Sequence, residues 1–347
     1  MKKKSLIVNR KTNIKILNYL KDPKIHKIYI DFKKFIKKIN NNNKLAVAVS
    51  GGPDSMALAY LSKCLSLEEK IEVKFYIVDH KLRENSSTES NKVRSILKKL
   101  DTKCHILKWN SIKPKSNIQS IARDNRYKLL TNACKKNNIN NLLFGHHADD
   151  LNENFFIRLF RGSGLKGLTS FNEISYYKNT KILILRPLIK FQKNELVYIS
   201  EKVFRFYVKD PTNKNFFFQR SRIRDWLINL DKEGFDKKKL SLTIKNLKSS
   251  NETINFYVDK NIKDNSKFFK NKNTFFLNKE FFNQSEEVMF RSLSSILQFM
   301  GKKYYPSRGK SISSVIFQIK SNKLNKLTLG GCCIKKVNES IIITKEY

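Results

Sequence analysis

The stretch from Lys44 to Leu58 constrains the chain most. Val47 and Val49 sit in a short apolar run, Ser50-Gly51-Gly52-Pro53-Asp54-Ser55 follows, and Leu58, Leu61 and Leu65 then recur at helical spacing. This reads as a buried parallel strand, a turn and a helix. The two glycines permit positive φ and let a ligand approach the backbone closely. Such a loop aims successive N–H groups at an anion, and the helix behind it adds its positive end. No Gly-x-x-x-x-Gly-Lys-Ser/Thr occurs, so this is not the common phosphate loop. A lone Gly-Gly would read as a plain βα turn, whereas the full six-residue run favours an anion site.

The rhythm of that stretch repeats through the first two thirds of the chain. Residues 73–79 read as a strand ending at Asp79-His80, 86–100 as a helix and 104–109 as a strand. Ser116-Asn117-Ile118-Gln119 has capping-box spacing and opens a helix to about residue 136, with Ile118, Ala122, Leu129 and Ala133 as its expected buried stripe. Arg123 and Arg126, three apart, share one side of it. A strand at 141–145 runs into His146-His147-Ala148-Asp149-Asp150, a further strand lies at 182–185, and a helix follows at 193–204. Strand–helix alternation predicts right-handed crossovers: an α/β fold with a doubly wound parallel sheet. Ligands of such sheets bind at the carboxyl ends of the strands, where Ser50–Ser55, Asp79-His80 and His146–Asp150 all fall.

Asp149, Asp150 and Glu153 share one face of the helix after residue 150. Clustered carboxylates need a cation or a basic substrate between them, and Mg²⁺ held with phosphate oxygens is the natural occupant. Acids at a helix start are also favoured by the macrodipole alone. A Gly-rich basic loop containing Arg161 follows, and Arg220, Arg222 and Arg224 alternate further on. From about residue 231 the rhythm is lost. Helices are expected at 236–262 and 286–300, a basic aromatic loop at Tyr304–Lys310 containing Arg308, and a closing hairpin over 327–332 and 340–344. The expected organisation is a basic extension over 1–27, an α/β domain over 28–230 and a smaller, mainly helical domain over 231–347.

Lys and Arg number 70 against 30 Asp and Glu, a formal charge of +40. That excess suits a polyanion, although an anionic membrane surface and the Lys/Asn/Ile/Phe bias of an AT-rich coding sequence are open alternatives. Five cysteines with no Cys-x-x-Cys indicate neither a zinc site nor a disulfide framework. Residues 1–10 are basic without an apolar core behind them, and no stretch approaches the roughly 18 apolar residues of a membrane span. A soluble, cytoplasmic protein is expected, with a homodimer left open as its assembly.

Ser50–Ser55 resembles the pyrophosphate loop of the N-type ATP pyrophosphatases, which activate a carbonyl oxygen by transferring AMP to it. Val78-Asp79-His80, Ala122-Arg123 with Arg126-Tyr127, Gly145–Asp150, Arg161-Gly162-Ser163-Gly164, Arg186-Pro187-Leu188 and Asp210-Pro211-Thr212-Asn213 are together similar to the tRNA(Ile)-lysidine synthase family. The pattern departs from that family at Leu151 and Asn154. The resemblance implies an ATP-dependent ligase that adenylates the wobble cytidine of a CAU-anticodon tRNA(Ile) and lets free L-lysine displace AMP. It implies ATP binding by Ser50, Gly51, Gly52, Pro53, Asp54 and Ser55, and Mg²⁺ on Asp54, Asp149 and Asp150. It places catalysis on Asp54, His147, Asp149, Asp150 and Arg123, and lysine on the Asp149/Asp150/Glu153 face. Contacts to tRNA are expected from Arg126, Arg161, Arg220, Arg222, Arg224 and Arg308. A tRNA thiolase and a non-catalytic basic RNA-binding protein are the competing readings. The first typically needs cysteines beside the nucleotide, and the second leaves the loop and acidic cluster unexplained.

Overall fold

The computed structural model describes residues 12–39, 43–110, 116–178, 180–208, 219–303 and 305–346. The chain divides into two compact units, Met1–Ser241 and Leu242–Tyr347.

The first unit carries α1 (Pro23–Ile39), β1 (Lys44–Val49), α2 (Pro53–Glu69), β2 (Glu72–Asp79), α3 (Ser86–Lys98), β3 (Cys104–Lys108), α4 (Ile118–Lys136), β4 (Asn141–Leu143) and α5 (Ala148–Leu159). It continues with β5 (Ile174–Tyr176), β6 (Leu183–Leu185), α6 (Lys193–Phe204) and α7 (Gln219–Lys232). The sheet order is β3-β2-β1-β4-β6-β5. All neighbours are parallel except β5, which pairs antiparallel with β6 at the edge. Successive residues of β1 face opposite layers. Leu45, Val47 and Val49 pack among Phe32 and Ile36 of α1, Leu58, Leu61 and Leu65 of α2 and Leu196 and Ile199 of α6. Ala46 packs with Tyr127, Leu130 and Cys134 of α4 on the other face. Because β2 lies on one side of β1 and β4 on the other, the connections after β1 and β4 diverge over a crevice at their carboxyl ends.

Two expectations are corrected here. Residue 27 marks no boundary, since α1 runs across it, a helix occupies 12–18, and Ile16, Leu20 and Ile25 belong to the core. The Tyr60 hydroxyl donates to the Ile16 carbonyl at 3.1 Å and the Tyr198 hydroxyl to Asp22 Oδ2 at 2.6 Å. In α4 no capping box forms. Asn117 takes a left-handed conformation without a side-chain cap, Ile118 is exposed, and the buried stripe is Tyr127, Leu130, Ala133 and Cys134.

The unit boundary lies within α8 (Lys237–Asn265), and the expected break at 230/231 falls inside α7. The second unit adds β7 (Ser266–Phe269), β8 (Thr274–Leu277), α9 (Glu286–Met300), α10 (Gly309–Lys320), β9 (Lys326–Leu329), β10 (Cys332–Val337) and β11 (Ser340–Lys345). The expected hairpin is part of a five-stranded sheet in the order β7-β8-β11-β10-β9. Leu277, Ile334, Ile341 and Ile343 of the sheet pack against Leu293, Ile296 and Leu297 of α9 and Ile312 and Ile316 of α10. Among the described residues no helix is long and apolar enough to cross a membrane.

Candidate active site

β1 ends at Val49, and the chain turns through Gly51, whose φ is +87°. A Cβ at Gly51 would lie 2.6 Å from Val93 Cγ2 and 2.9 Å from Val208 Cγ2, so both conformation and packing demand glycine. The Ser55 hydroxyl pins the loop: it accepts from the Ser50 amide at 3.1 Å and the Ser50 hydroxyl at 3.2 Å, and donates to the Gly52 carbonyl at 2.9 Å. Those bonds commit the Ser50 amide to the loop itself. Anion binding therefore rests on the remaining loop amides and the first turn of α2, which intrahelical bonding leaves free. Gly52 is the N-cap and Pro53 the first helical residue.

The β4–α5 connection faces this loop. A Cβ at Gly145 would meet the Asp54 carbonyl oxygen at 2.8 Å, so the end of β4 and the start of α2 touch backbone to backbone. His147, buried, is the N-cap of α5. Its Nδ1 accepts the Asp149 N–H at 3.3 Å, so in the neutral ring the proton sits on Nε2. Nε2 lies 3.6 Å from Oδ2 of both Asp54 and Asp150. The Asp149 carboxylate lies 3.7 Å from Nδ1. Asp150 Oδ2 also accepts the His147 amide at 3.1 Å.

These surroundings drive the two carboxylates apart. Burial pushes the Asp54 carboxyl above its ordinary value despite His147 and Lys193. Burial acts likewise on Asp150, but His147, His146 and the His147 amide outweigh it and hold that carboxyl below its ordinary value. Burial lowers the His146 imidazole to about 3 and that of His80 to about 4, leaving both rings neutral near pH 7.

A cavity of about 520 Å³ joins these groups, within the roughly 300–1,000 Å³ of small-molecule sites. Ser50, Gly52, Pro53, Asp54, Ser55, His147 and Asp150 line it, with Arg123 and Arg126 from α4 and Arg220 and Arg224 from α7. Four of the expected arginines therefore surround one crevice. Arg123 and Arg126 lie over aromatic rings, Arg123 Cζ 5.4 Å from the Tyr127 centroid and Arg126 Cζ 5.8 Å from that of Phe144.

The PP-loop domain family matches residues 24–231. The chain is 35% identical over 318 residues to the tRNA(Ile)-lysidine synthase of Orientia tsutsugamushi (strain Boryong), covering 88% of this chain and 70% of that relative. It is 33% identical to the tRNA(Ile)-lysidine synthase of Wolbachia pipientis wMel, covering 88% and 71%. The chain belongs to the tRNA(Ile)-lysidine synthase family. The U34-tRNA thiolase NcsA of Methanococcus maripaludis shares the fold, with a TM-score of 0.55 and 18% identity over 66% of this chain and 79% of that one.

This member of the lysidine synthase family keeps its thiols away from the crevice. None of the five cysteines lines it, and burial pushes Cys64, Cys104 and Cys134 each up to about 12. The family binds ATP. For Mg²⁺, the fit rests on Asp54 Oδ1, which is buried with no hydrogen-bond partner among the described residues. Among those residues no group of three or more His, Cys, Asp or Glu side chains forms a metal cluster. Mg²⁺ needs only one or two carboxylates beside phosphate oxygens, so Asp54 and Asp150 fit it. Asp149 is not among the cavity-lining residues.

Glu153 departs from expectation. It is wholly buried, its Oε1 accepts from Arg224 Nε at 2.6 Å, its Oε2 is buried with no hydrogen-bond partner among the described residues, and it does not line the crevice. Arg161 lies outside the crevice and donates to Gln219 Oε1 at 2.8 Å. Arg222 is exposed on α7, and Arg308 precedes α10 in the second unit. Asp210-Pro211-Thr212-Asn213 and Tyr304 lie outside the described residues. Arg83, Ser86 and Glu89 also line the crevice, as does Lys193 at the start of α6. Nothing in their local sequence marks them, because the strand order brings α3 and α6 to this edge.

Proposed function

We propose that this chain modifies tRNA(Ile), joining free L-lysine to the wobble cytidine of a CAU anticodon to give lysidine. It is an ATP-dependent ligase that forms a carbon–nitrogen bond, and we place its work in the cytoplasm. The observation that carries the reading is the convergence, in one crevice, of the Ser50–Ser55 loop, the His147-linked pair Asp54 and Asp150, and four arginines.

In the first step the cytidine C2 oxygen attacks the α-phosphorus of ATP, and the bond to the β-phosphate breaks. The loop amides and the start of α2 hold the leaving pyrophosphate, while Arg123, with its neighbours, offsets charge developing on the α-phosphate. Mg²⁺, bound by Asp54 and Asp150, would neutralise the leaving group when present. His147 Nε2 lies between those two carboxylates, 3.6 Å from each. In the second step the neutral lysine amine attacks C2, the C2–O bond breaks and AMP departs with its electron pair, and the nitrogen loses a proton to solvent. Asp150, with Asp149 beside it at the start of α5, supplies the negative charge that draws the lysine ammonium; Glu153, wholly buried and paired with Arg224, stands behind them. Arg126, Arg220 and Arg224 meet the RNA where it enters the crevice, and Arg161, Arg222 and Arg308 meet it outside.

Incubation with ATP, Mg²⁺, labelled lysine and bulk tRNA tests the reading. Label is expected in tRNA(Ile) with a CAU anticodon and is absent with Asp54→Asn. Incorporation of sulfur instead of lysine, by protein that binds ATP, would overturn it.

A further inference from the structure

α7, which carries Arg220 and Arg224 into the crevice, and α5, whose Glu153 binds Arg224, also build an aromatic patch that the mechanism does not use. Phe156, three residues after Glu153 on α5, is buried and anchors the patch. Its ring meets Trp226 of α7 edge to face at 5.1 Å and Phe235 at 6.3 Å. One turn further, Phe160 packs on Trp226 at 5.5 Å. Phe160 is 58% exposed and Trp226 39%, with Leu159, next to Phe160 in sequence, at 44%. A folded chain seldom leaves so large an apolar cluster in water without a partner.

The surroundings select the partner. Arg161, next to Phe160 in sequence, and Arg222, one turn before Trp226 on α7, are exposed. The hydrogen bond from Arg161 to Gln219 ties the end of α5 to the start of α7 and holds the two aromatic donors together. Exposed aromatic faces accompanied by arginines match single-stranded RNA, whose bases stack while its phosphates meet cations. A crevice that acts on a base needs that base taken out of its stack, which unstacks the neighbours as well. Glu153, bonded to Arg224 of the crevice wall, lies one turn before Phe156 on the same side of α5, and Phe156 meets Trp226, so the patch adjoins that wall.

We propose that Phe160 and Trp226 form a stacking platform for a nucleotide flanking the one held in the crevice. The proposal rests on the RNA-modifying reading above and adds a second base-binding position to it.

Intrinsic fluorescence reports on it directly, because the chain has two tryptophans and Trp109 is 5% exposed. Titration of the full chain with a CAU anticodon stem-loop RNA is expected to quench the emission, and Trp226→Phe is expected to lose the quench while still binding. Phe160→Ala and Trp226→Ala are expected to weaken RNA binding about tenfold or more with ATP binding unchanged, and Trp226→Phe to restore most of the affinity. RNA affinity in Trp226→Ala equal to that of the parent would overturn the proposal. If that variant instead loses a concentration-dependent dimer by sedimentation and keeps its RNA affinity, the patch is a contact between copies and the proposal also falls. Quenching by RNA in a chain that forms no lysidine would leave the platform standing and remove the reaction assigned above.

Discussion

His147 does three jobs with one ring, and each follows from its place at the start of α5. As N-cap it accepts the Asp149 amide on Nδ1, which fixes the proton on Nε2 between Asp54 and Asp150. The neighbouring His146 behaves oppositely, packed between Phe144 at 5.6 Å and Phe171 at 5.3 Å and lowered to about 3. Its unfolded value is about 6.5, so between pH 6.5 and 3 the unfolded chain binds the additional proton and stability rises with pH. Stability from this ring is therefore full above pH 6.5 and is lost on acidification, by at most about 1.4 kcal/mol per pH unit. Denaturant unfolding at pH 7 and pH 5 should show a smaller acid loss for His146→Asn than for the parent. An equal loss in both would contradict the neutral, buried ring. At this scale the sequence was legible where local spacing decides, as in Gly51, Gly52 and the His147–Asp150 run. It was not legible where a partner is remote: Glu153 pairs with Arg224, 71 residues away, and no spacing rule announces it.

At the scale of elements, the alternation of apolar runs and amphipathic stretches predicted β1, β2, β3, β4 and β6 with their helices, because buried parallel strands are short, continuous and apolar. β5 escaped because Ile174-Ser175-Tyr176 is a three-residue edge strand with half its surface in water. The helix at 12–18 escaped because Lys and Asn around Ile16 and Leu20 mask a stripe that only the core of α1 and α2 reveals. α4 shows what an element adds to a site. Tyr127 stacks on Phe144 at 4.9 Å and on Tyr177 at 5.7 Å, and its ring and hydroxyl carry Arg123, with Arg123 Nη2 3.4 Å from the oxygen. Tyr127→Leu removes the cation–π surface, worth about 1–2 kcal/mol when desolvated. It should lower kcat about tenfold with a small change in KM for ATP, and Tyr127→Phe should recover most of the loss. Steady-state kinetics check this, and equal defects in both variants would contradict a positioning role for the ring.

Across the whole molecule, the first unit supplies a crevice at the carboxyl ends of β1, β2 and β4 that is lined by both cations and carboxylates. The +40 charge gives every part of such a chain attraction for RNA, so charge alone never located the site. Location came from the strand order, which places the loop after β1 against the turn after β4. The second unit was the least legible part. Its Lys-, Asn- and Phe-rich segments carry alternating patterns too short to separate a five-stranded antiparallel sheet from irregular extended pieces. The central claim is that the Ser50–Ser55 loop holds pyrophosphate as a leaving group. The most direct measurement is the fate of ATP labelled separately at the α- and γ-phosphates, with tRNA present and lysine withheld. tRNA-dependent release of intact labelled pyrophosphate is expected, with transfer of the α-label to tRNA. ADP and orthophosphate as the products would contradict it.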